Sequence, residues 1–191
     1  MKKKIIHLSD LKNLIDTLKK KGKKIVQCHG VFDLIHIGHL KHFKSAKKFG
    51  DILIVSVTPD KFVQKGFNRP YFNSSQRLES LSSIEDIDYV ILNSTKNAVD
   101  IIKKIKPNFY CKGPDYKNFK DDITNEIKNE FNAVKRFGGK LVFSEDPMYS
   151  SSTILNNETN LYSSNQKLFI NKIRSQINVA DLNKKIEKLK K

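Results

Sequence analysis

Tryptophan is absent from this 191-residue chain, and methionine and cysteine occur only twice each. Two cysteines, Cys28 and Cys111, each at the end of an apolar run, cannot staple a small secreted scaffold. Reduced thiols in a cytoplasmic protein are therefore expected. Lacking a CxxC pair, they do not suggest a metal site. No run of about 18 apolar residues occurs, which excludes a membrane-spanning helix. The opening MKKKIIHLSD has a basic head but no long apolar region, so it does not read as a signal peptide. No GxxxxGK[ST] loop occurs, which excludes a P-loop kinase, and there are no internal repeats. Acidic residues are also scarce: 20 against 36 Lys and Arg, for a net charge of +16. Residues 1–24 carry +7 of this and residues 159–191 carry +6, leaving about +3 for the middle. A nucleic-acid binder would carry its charge on a folded face interleaved with aromatics. Here the excess sits in the two ends and reads as solvated helix faces, so no nucleic-acid partner is expected.

What the chain does have is an alternation of short apolar runs and helical patterns. Ser9-Asp10 reads as a cap for a lead-in helix over about 9–21, with Leu11, Leu14, Ile15 and Leu18 at helical spacing. Apolar runs at 24–28, 51–57, 88–92, 109–111 and 140–143 read as five strands. Helical patterns fall between them: 39–49, a helix opening at Ser74 or Ser75, 98–105 and 123–137. A last short helix is expected after Ser150. This order predicts an α/β, Rossmann-like, doubly wound five-stranded parallel sheet. Residues 1–158 form the expected compact domain, and 159–191 a helical tail or connector. Ligands of such sheets bind at the carboxyl ends of the strands. The polar segments 29–39, 64–77, 112–116 and 145–152 all follow strands and are expected to converge there.

The most informative stretch is Cys28 to Lys41, CHGVFDLIHIGHLK. A strand exits through a small turn into a helix, which presents backbone N–H groups and the positive helix end to an anion such as phosphate. His36 and His39 flank Gly38 at that entrance. His36, His39 and His42 could also suggest zinc, but no carboxylate or cysteine accompanies them at ligand spacing.

The eleven-residue run GVFDLIHIGHL resembles the HxGH signature of the nucleotidyltransferase superfamily, in its cytidylyltransferase-like branch. KGFNRPYFNSSQRLESLSSIEDIDYVIL, YCKGPDY and YSSSTIL resemble further segments of heptose-phosphate adenylyltransferase-type domains. The resemblance covers residues 24–156. The lead-in through residue 39 is similar to modules fused to ribokinase-like sugar kinases, in which the tail would lead toward the kinase. Glycerol-phosphate cytidylyltransferases share HxGH but usually carry an Arg before the serine segment. Asp146-Pro147-Met148-Tyr149 lacks it, which weakens the polyol reading and leaves ATP or CTP open.

The resemblance implies transfer of a nucleoside monophosphate from a triphosphate to a sugar or polyol phosphate, with pyrophosphate released and Mg2+ accompanying the triphosphate. It implies catalytic roles for His36, His39, Lys65 and Arg77: the histidines at the α- and β-phosphates, Lys65 on the triphosphate, Arg77 on the leaving pyrophosphate. Arg69 would take the acceptor phosphate. Gly30, Val31, Phe32, Gly38, Lys112, Gly113, Asp115, Tyr116, Ser150, Ser151 and Ser152 would line the nucleotide, with Gly30 and Phe32 as its floor. Asp33 reads as structural, holding its loop, and Asp60 as a candidate for magnesium. A homodimer and a fused or partner sugar kinase are implied as partners. The rival readings are a non-catalytic nucleotide-binding domain of a larger protein and an aminoacyl-tRNA-synthetase fragment. The latter would need a much larger chain and a second lysine motif.

Overall fold

The computed structural model describes residues 4–63, 69–114 and 126–144, together with Asn165, Leu168, Phe169 and Lys172. In chain order the elements are β1 (Ile5–Ile6), α1 (Leu8–Lys20), β2 (Ile25–Gly30), α2 (Ile37–Lys47), β3 (Ile52–Val57) and a 3-10 turn at Asp60–Phe62. Then come α3 (Ser74–Ser82), β4 (Tyr89–Leu92), α4 (Val99–Ile105), β5 (Phe109–Lys112), α5 (Glu126–Arg136) and β6 (Lys140–Phe143). All five expected strands form. A sixth, β1, joins them at the edge, where Ile5 and Ile6 pair with Val90 and Ile91. Two residues are too short a run to show a strand period, so the sequence pattern merges them with the lead-in.

The sheet is parallel throughout, in the order β1-β4-β3-β2-β5-β6. From the central β2 the chain winds outward through β3 and β4, then crosses back to β5 and β6. Strand order thus reverses between β2 and β5, and their carboxyl ends flank the crevice in which such sheets take ligands. The central strands are buried on both faces, which is why β3 reads as a near-continuous apolar run. One face is covered by α1, α4 and α5 through Leu11, Ile15, Ile101, Ile102 and Val134. The other is covered by α2 and α3 through Phe43, Ala46 and Leu81.

Two helix starts differ from the sequence expectation. α1 begins one residue after His7, its N-cap, so Ser9 and Asp10 lie in the first turn. Asp10 there still complements the helix dipole. α3 is capped by Asn73 rather than by Ser74 or Ser75. Asn73 Oδ1 accepts from Gln76 N–H at 3.0 Å and Gln76 Oε1 accepts from Asn73 N–H at 3.1 Å, a reciprocal capping box. The chain divides into two compact units, Met1–Ser151 and Ser152–Lys191. In the second unit the four described residues are helical. The expected helix after Ser150 lies outside the described residues. Among the described residues, no helix is long and apolar enough to cross a membrane.

Candidate active site

The loop from β2 into α2 crosses the carboxyl edge of the sheet at the strand-order reversal. It is held from below by aromatic packing. Phe32 has a positive φ of 49°, and its ring folds back over the strand it has just left. A Cβ on Gly30 would lie 2.9 Å from that ring, so the glycine makes room for Phe32. The ring then packs on Phe43 at 5.1 Å and edge-on against His39 at 5.5 Å. Phe32 is buried in the core. The contact between Gly30 and Phe32 buttresses the His39 ring from below.

His36 is the N-cap of α2, and its Nδ1 accepts from Gly38 N–H at 3.2 Å. In the neutral ring the proton therefore resides on Nε2. Burial pushes the His36 pKa below its ordinary value, so at neutral pH the imidazole is an N–H donor rather than a cation. Its ring lies 3.9 Å from that of His39, centroid to centroid. The first turn of α2 holds no acid to oppose an anion. His36, His39 and the positive end of α2 are thus brought together at one point. The three histidines do not form a ligand set: among the described residues, the metal-capable group is a different one that includes only His42.

Arg77 is the clearest departure from expectation. It is 1% exposed and its guanidinium is spent on the protein. Nε donates to Phe72 O at 3.1 Å, Nη1 to Val31 O, and Nη2 to Thr58 O and Asp60 Oδ1, both at 2.7 Å. It therefore fastens the segments after β2 and β3 to the 69–73 loop, and is a positioning residue rather than a ligand for pyrophosphate. Asp60 is engaged by the same clamp. Burial alone would raise its pKa, but the Ser74 N–H and the Arg77 guanidinium hold it below the usual carboxylate value. Val31 contributes its carbonyl to Arg77.

A second clamp lies beside it. Asp33 Oδ2 accepts from Arg69 Nε at 2.6 Å and from Tyr71 N–H at 2.9 Å, while Oδ1 accepts from Phe72 N–H at 2.9 Å. Burial opposes the charge, but the two N–H groups and the guanidinium outweigh it and lower the Asp33 pKa. Asp33 is thus structural, as its sequence position implies. Arg69 retains a donor: its Nη2 is buried and has no hydrogen-bond partner among the described residues.

Lys112 was expected at the nucleotide. Its Nζ instead lies 2.7 Å from Glu130 Oε2 on α5, in a pair whose side chains are 10% and 5% exposed, and 5.3 Å from the Tyr110 ring. The ammonium is neutralised by Glu130 within the fold. Gly113 follows it at the crevice edge. Lys65, Asp115, Tyr116, Ser150, Ser151 and Ser152 lie outside the described residues.

Sequence reasoning missed His29. It stands at the end of β2, with Nδ1 2.9 Å from Ser56 Oγ and Nε2 3.3 Å from Thr58 Oγ1. Ser56 gives its hydroxyl proton to Cys28 O and also accepts from Gln27 Nε2, which places the His29 proton on Nδ1. Burial and then the Lys112 charge push the His29 pKa down to about 3. The available signal was register: His29 pairs with Ser56 across β2 and β3. A cavity of about 320 Å³ lined by Lys19, Lys24 and Lys106 lies at the opposite, amino end of the sheet, away from the histidines.

Comparison with known proteins agrees with this fold. Among solved structures, the lipopolysaccharide core biosynthesis protein from Thermoplasma volcanium GSS1 superposes with a TM-score of 0.56 at 26% identity. That match covers 66% of this chain and all of that one. Among curated proteins, the bifunctional protein HldE of Aliarcobacter butzleri is 38% identical over 133 residues, 69% of this chain and 28% of that protein. The bifunctional protein HldE of Desulfatibacillum aliphaticivorans is 34% identical over 153 residues, 78% of this chain and 30% of that protein. The chain thus spans about three tenths of the length of these relatives. The cytidylyltransferase-like family model matches residues 27–166, from the first buried strand past the last, and the chain belongs to that family.

Proposed function

We propose that this domain transfers a nucleoside monophosphate from a nucleoside triphosphate to a sugar phosphate, with ATP as donor and a sugar 1-phosphate of the heptose type as acceptor. The observation that carries this reading is the entrance of α2 at the strand-order reversal, where the His36 and His39 rings lie 3.9 Å apart, tilted by 34°, at the helix start. The nucleotide and acceptor classes rest on the resemblance to heptose-phosphate adenylyltransferase-type domains. The bifunctional relatives support a sugar kinase as fused partner.

An acceptor phosphate oxygen is already nucleophilic at neutral pH, so no general base is needed. It attacks the α-phosphorus in line. A new P–O bond forms, the bond from the α-phosphorus to the bridging oxygen breaks, and its electron pair leaves on pyrophosphate. Catalysis then consists of positioning and charge stabilisation. His36, neutral with its proton on Nε2, donates to the crowded equatorial oxygens, and His39 works beside it. Arg69, anchored through Nε on Asp33, directs Nη2 at the acceptor phosphate. Arg77 and Asp33 keep these groups in place.

Magnesium would neutralise triphosphate charge. Both oxygens of Asp60 are already taken, by Arg77 and Ser74, and those of Asp33 by Arg69, Tyr71 and Phe72. The described residues thus fit an ion held mainly by phosphate oxygens and water, the usual habit of magnesium in triphosphate sites. The reading places the reaction in the cytoplasm and includes a homodimer, which sedimentation would test.

Incubation with magnesium, each of the four nucleoside triphosphates and a panel of sugar and polyol phosphates tests the proposal through pyrophosphate release. Turnover with ATP and a sugar 1-phosphate is expected. Turnover only with CTP and a polyol phosphate would replace both substrates. No turnover with any pair would leave a non-catalytic nucleotide-binding domain.

A further inference from the structure

Cys28 and Cys111 are 83 positions apart in sequence, but strand order makes them neighbours. Val26 pairs with Phe109 and Gln27 with Tyr110 across β2 and β5, so Cys28 and Cys111 come next in the ladder. Paired residues of parallel strands project to the same face, here the face covered by α2. His42, on α2, projects to the same place. A sulfur from each cysteine and a ring nitrogen of His42 all lie within 4.8 Å of one another. We propose that Cys28, His42 and Cys111 form a binding site for a thiophilic d10 cation, zinc(II) foremost, buried between α2 and the β2–β5 pair.

The dimensions suit such an ion. With Zn–S of about 2.3 Å and Zn–N of about 2.0 Å, tetrahedral ligand atoms stand roughly 3.5–3.8 Å apart. The three atoms need to close by about 1 Å, within the reach of side-chain rotation. Ser144 Oγ lies 2.9 Å from His42 Nδ1 and holds the ring, the role outer-shell partners play for ligating imidazoles. Both thiols are buried while His42 is half-buried, so the ring side is the path of entry.

Charge selects the ion. Binding zinc(II) releases both thiol protons and leaves two thiolates, one neutral imidazole and a dication. That unit is neutral and can be buried without an uncompensated charge. Copper(I) would leave one negative charge in the same place. Magnesium prefers oxygen ligands and finds none among these three.

The ion would join three elements around the crevice. His42 lies one turn along α2 from His39, and Cys28 immediately precedes His29 and Gly30. A bound ion therefore pins the helix that carries the histidine pair to the strands on both sides of the reversal point.

The test uses the full chain, reduced and treated with chelator, then dialysed against zinc(II) in the presence of excess magnesium. One zinc per chain is expected by elemental analysis, with two protons released on binding near neutral pH. Cobalt(II) in place of zinc is expected to give thiolate-to-metal charge-transfer absorption. Ser144→Ala should weaken zinc binding about tenfold or more, and Cys28→Ser/Cys111→Ser should abolish it. Undiminished zinc in that double variant overturns the proposal. The cobalt spectrum of the unaltered chain keeps the test decisive even if variants fail to fold: no charge-transfer band overturns the proposal as well.

Discussion

Replacing Arg77 by lysine separates a clamp from a substrate ligand. Lysine keeps the positive charge but offers one nitrogen where the guanidinium offers three. In the wild-type chain those three nitrogens satisfy Phe72 O, Val31 O, Thr58 O and Asp60 Oδ1. From the same Cβ an ammonium can serve Asp60 and one carbonyl. Two buried carbonyls then lose their partner, each at a cost of about 1–3 kcal/mol. Partial relaxation of the loops brings the expected loss to about 2–4 kcal/mol, a large share of a typical domain stability of about 5–15 kcal/mol. Urea unfolding followed by circular dichroism reads this directly. The midpoint should fall with the slope unchanged, the sign of lost stability rather than a changed unfolded state. Turnover should fall too, because Val31 O anchors the loop that leads to His36. If Arg77 instead held pyrophosphate, Arg77→Lys would leave stability within about 0.5 kcal/mol, as exposed substitutions do. The KM for the triphosphate alone would then rise. That pattern would refute the reasoning.

His39→Ala should lower kcat/KM for pyrophosphate release by about 100-fold, equivalent to about 3 kcal/mol for one preorganised donor. Undiminished turnover would remove His39 from the mechanism. His29 titrates near 3 when folded and about 6.5 when unfolded, so below pH 6.5 the unfolded chain binds the extra proton. Its contribution is complete above that pH and is lost as pH falls toward 3, at about 1.4 kcal/mol per unit. Unfolding free energies from urea titrations at pH 7 and 5 should differ by about 2 kcal/mol through this group, and His29→Gln should flatten that difference. Asp33→Asn leaves one oxygen to accept what two now accept from Arg69, Tyr71 and Phe72. It should raise KM for the acceptor phosphate more than KM for the nucleotide, and equal increases would argue against Arg69 as the acceptor's cation.

The fold was largely legible because its strands are buried on both faces: DILIVSV cannot be an amphipathic surface element at that length. β1 was not legible, since two residues carry no period and gain their strand identity from Val90 and Ile91. The α3 cap was legible in principle. Asn73 stands three residues before Gln76, but two serines beside it offer equally good caps, and only the observed reciprocal bonds decide. The site divides along the same line. Residue type identifies chemistry within a contiguous motif, and HIGH places two imidazoles at one helix entrance whatever the tertiary context. Cations scattered along the chain are different, because burial decides which of them face substrate. Arg77 finds its partners 46, 19, 17 and 5 residues away, and Lys112 finds Glu130 on another element. A charged side chain is almost never fully buried unless it is paired, so each of these cations is used up by the fold that buries it. Arg69 shares an acid with two N–H groups and keeps one buried nitrogen without a partner among the described residues. A guanidinium in that condition is stabilised by an incoming anion, which makes Arg69 the cation of its loop to which a second phosphate would add a bond without breaking one.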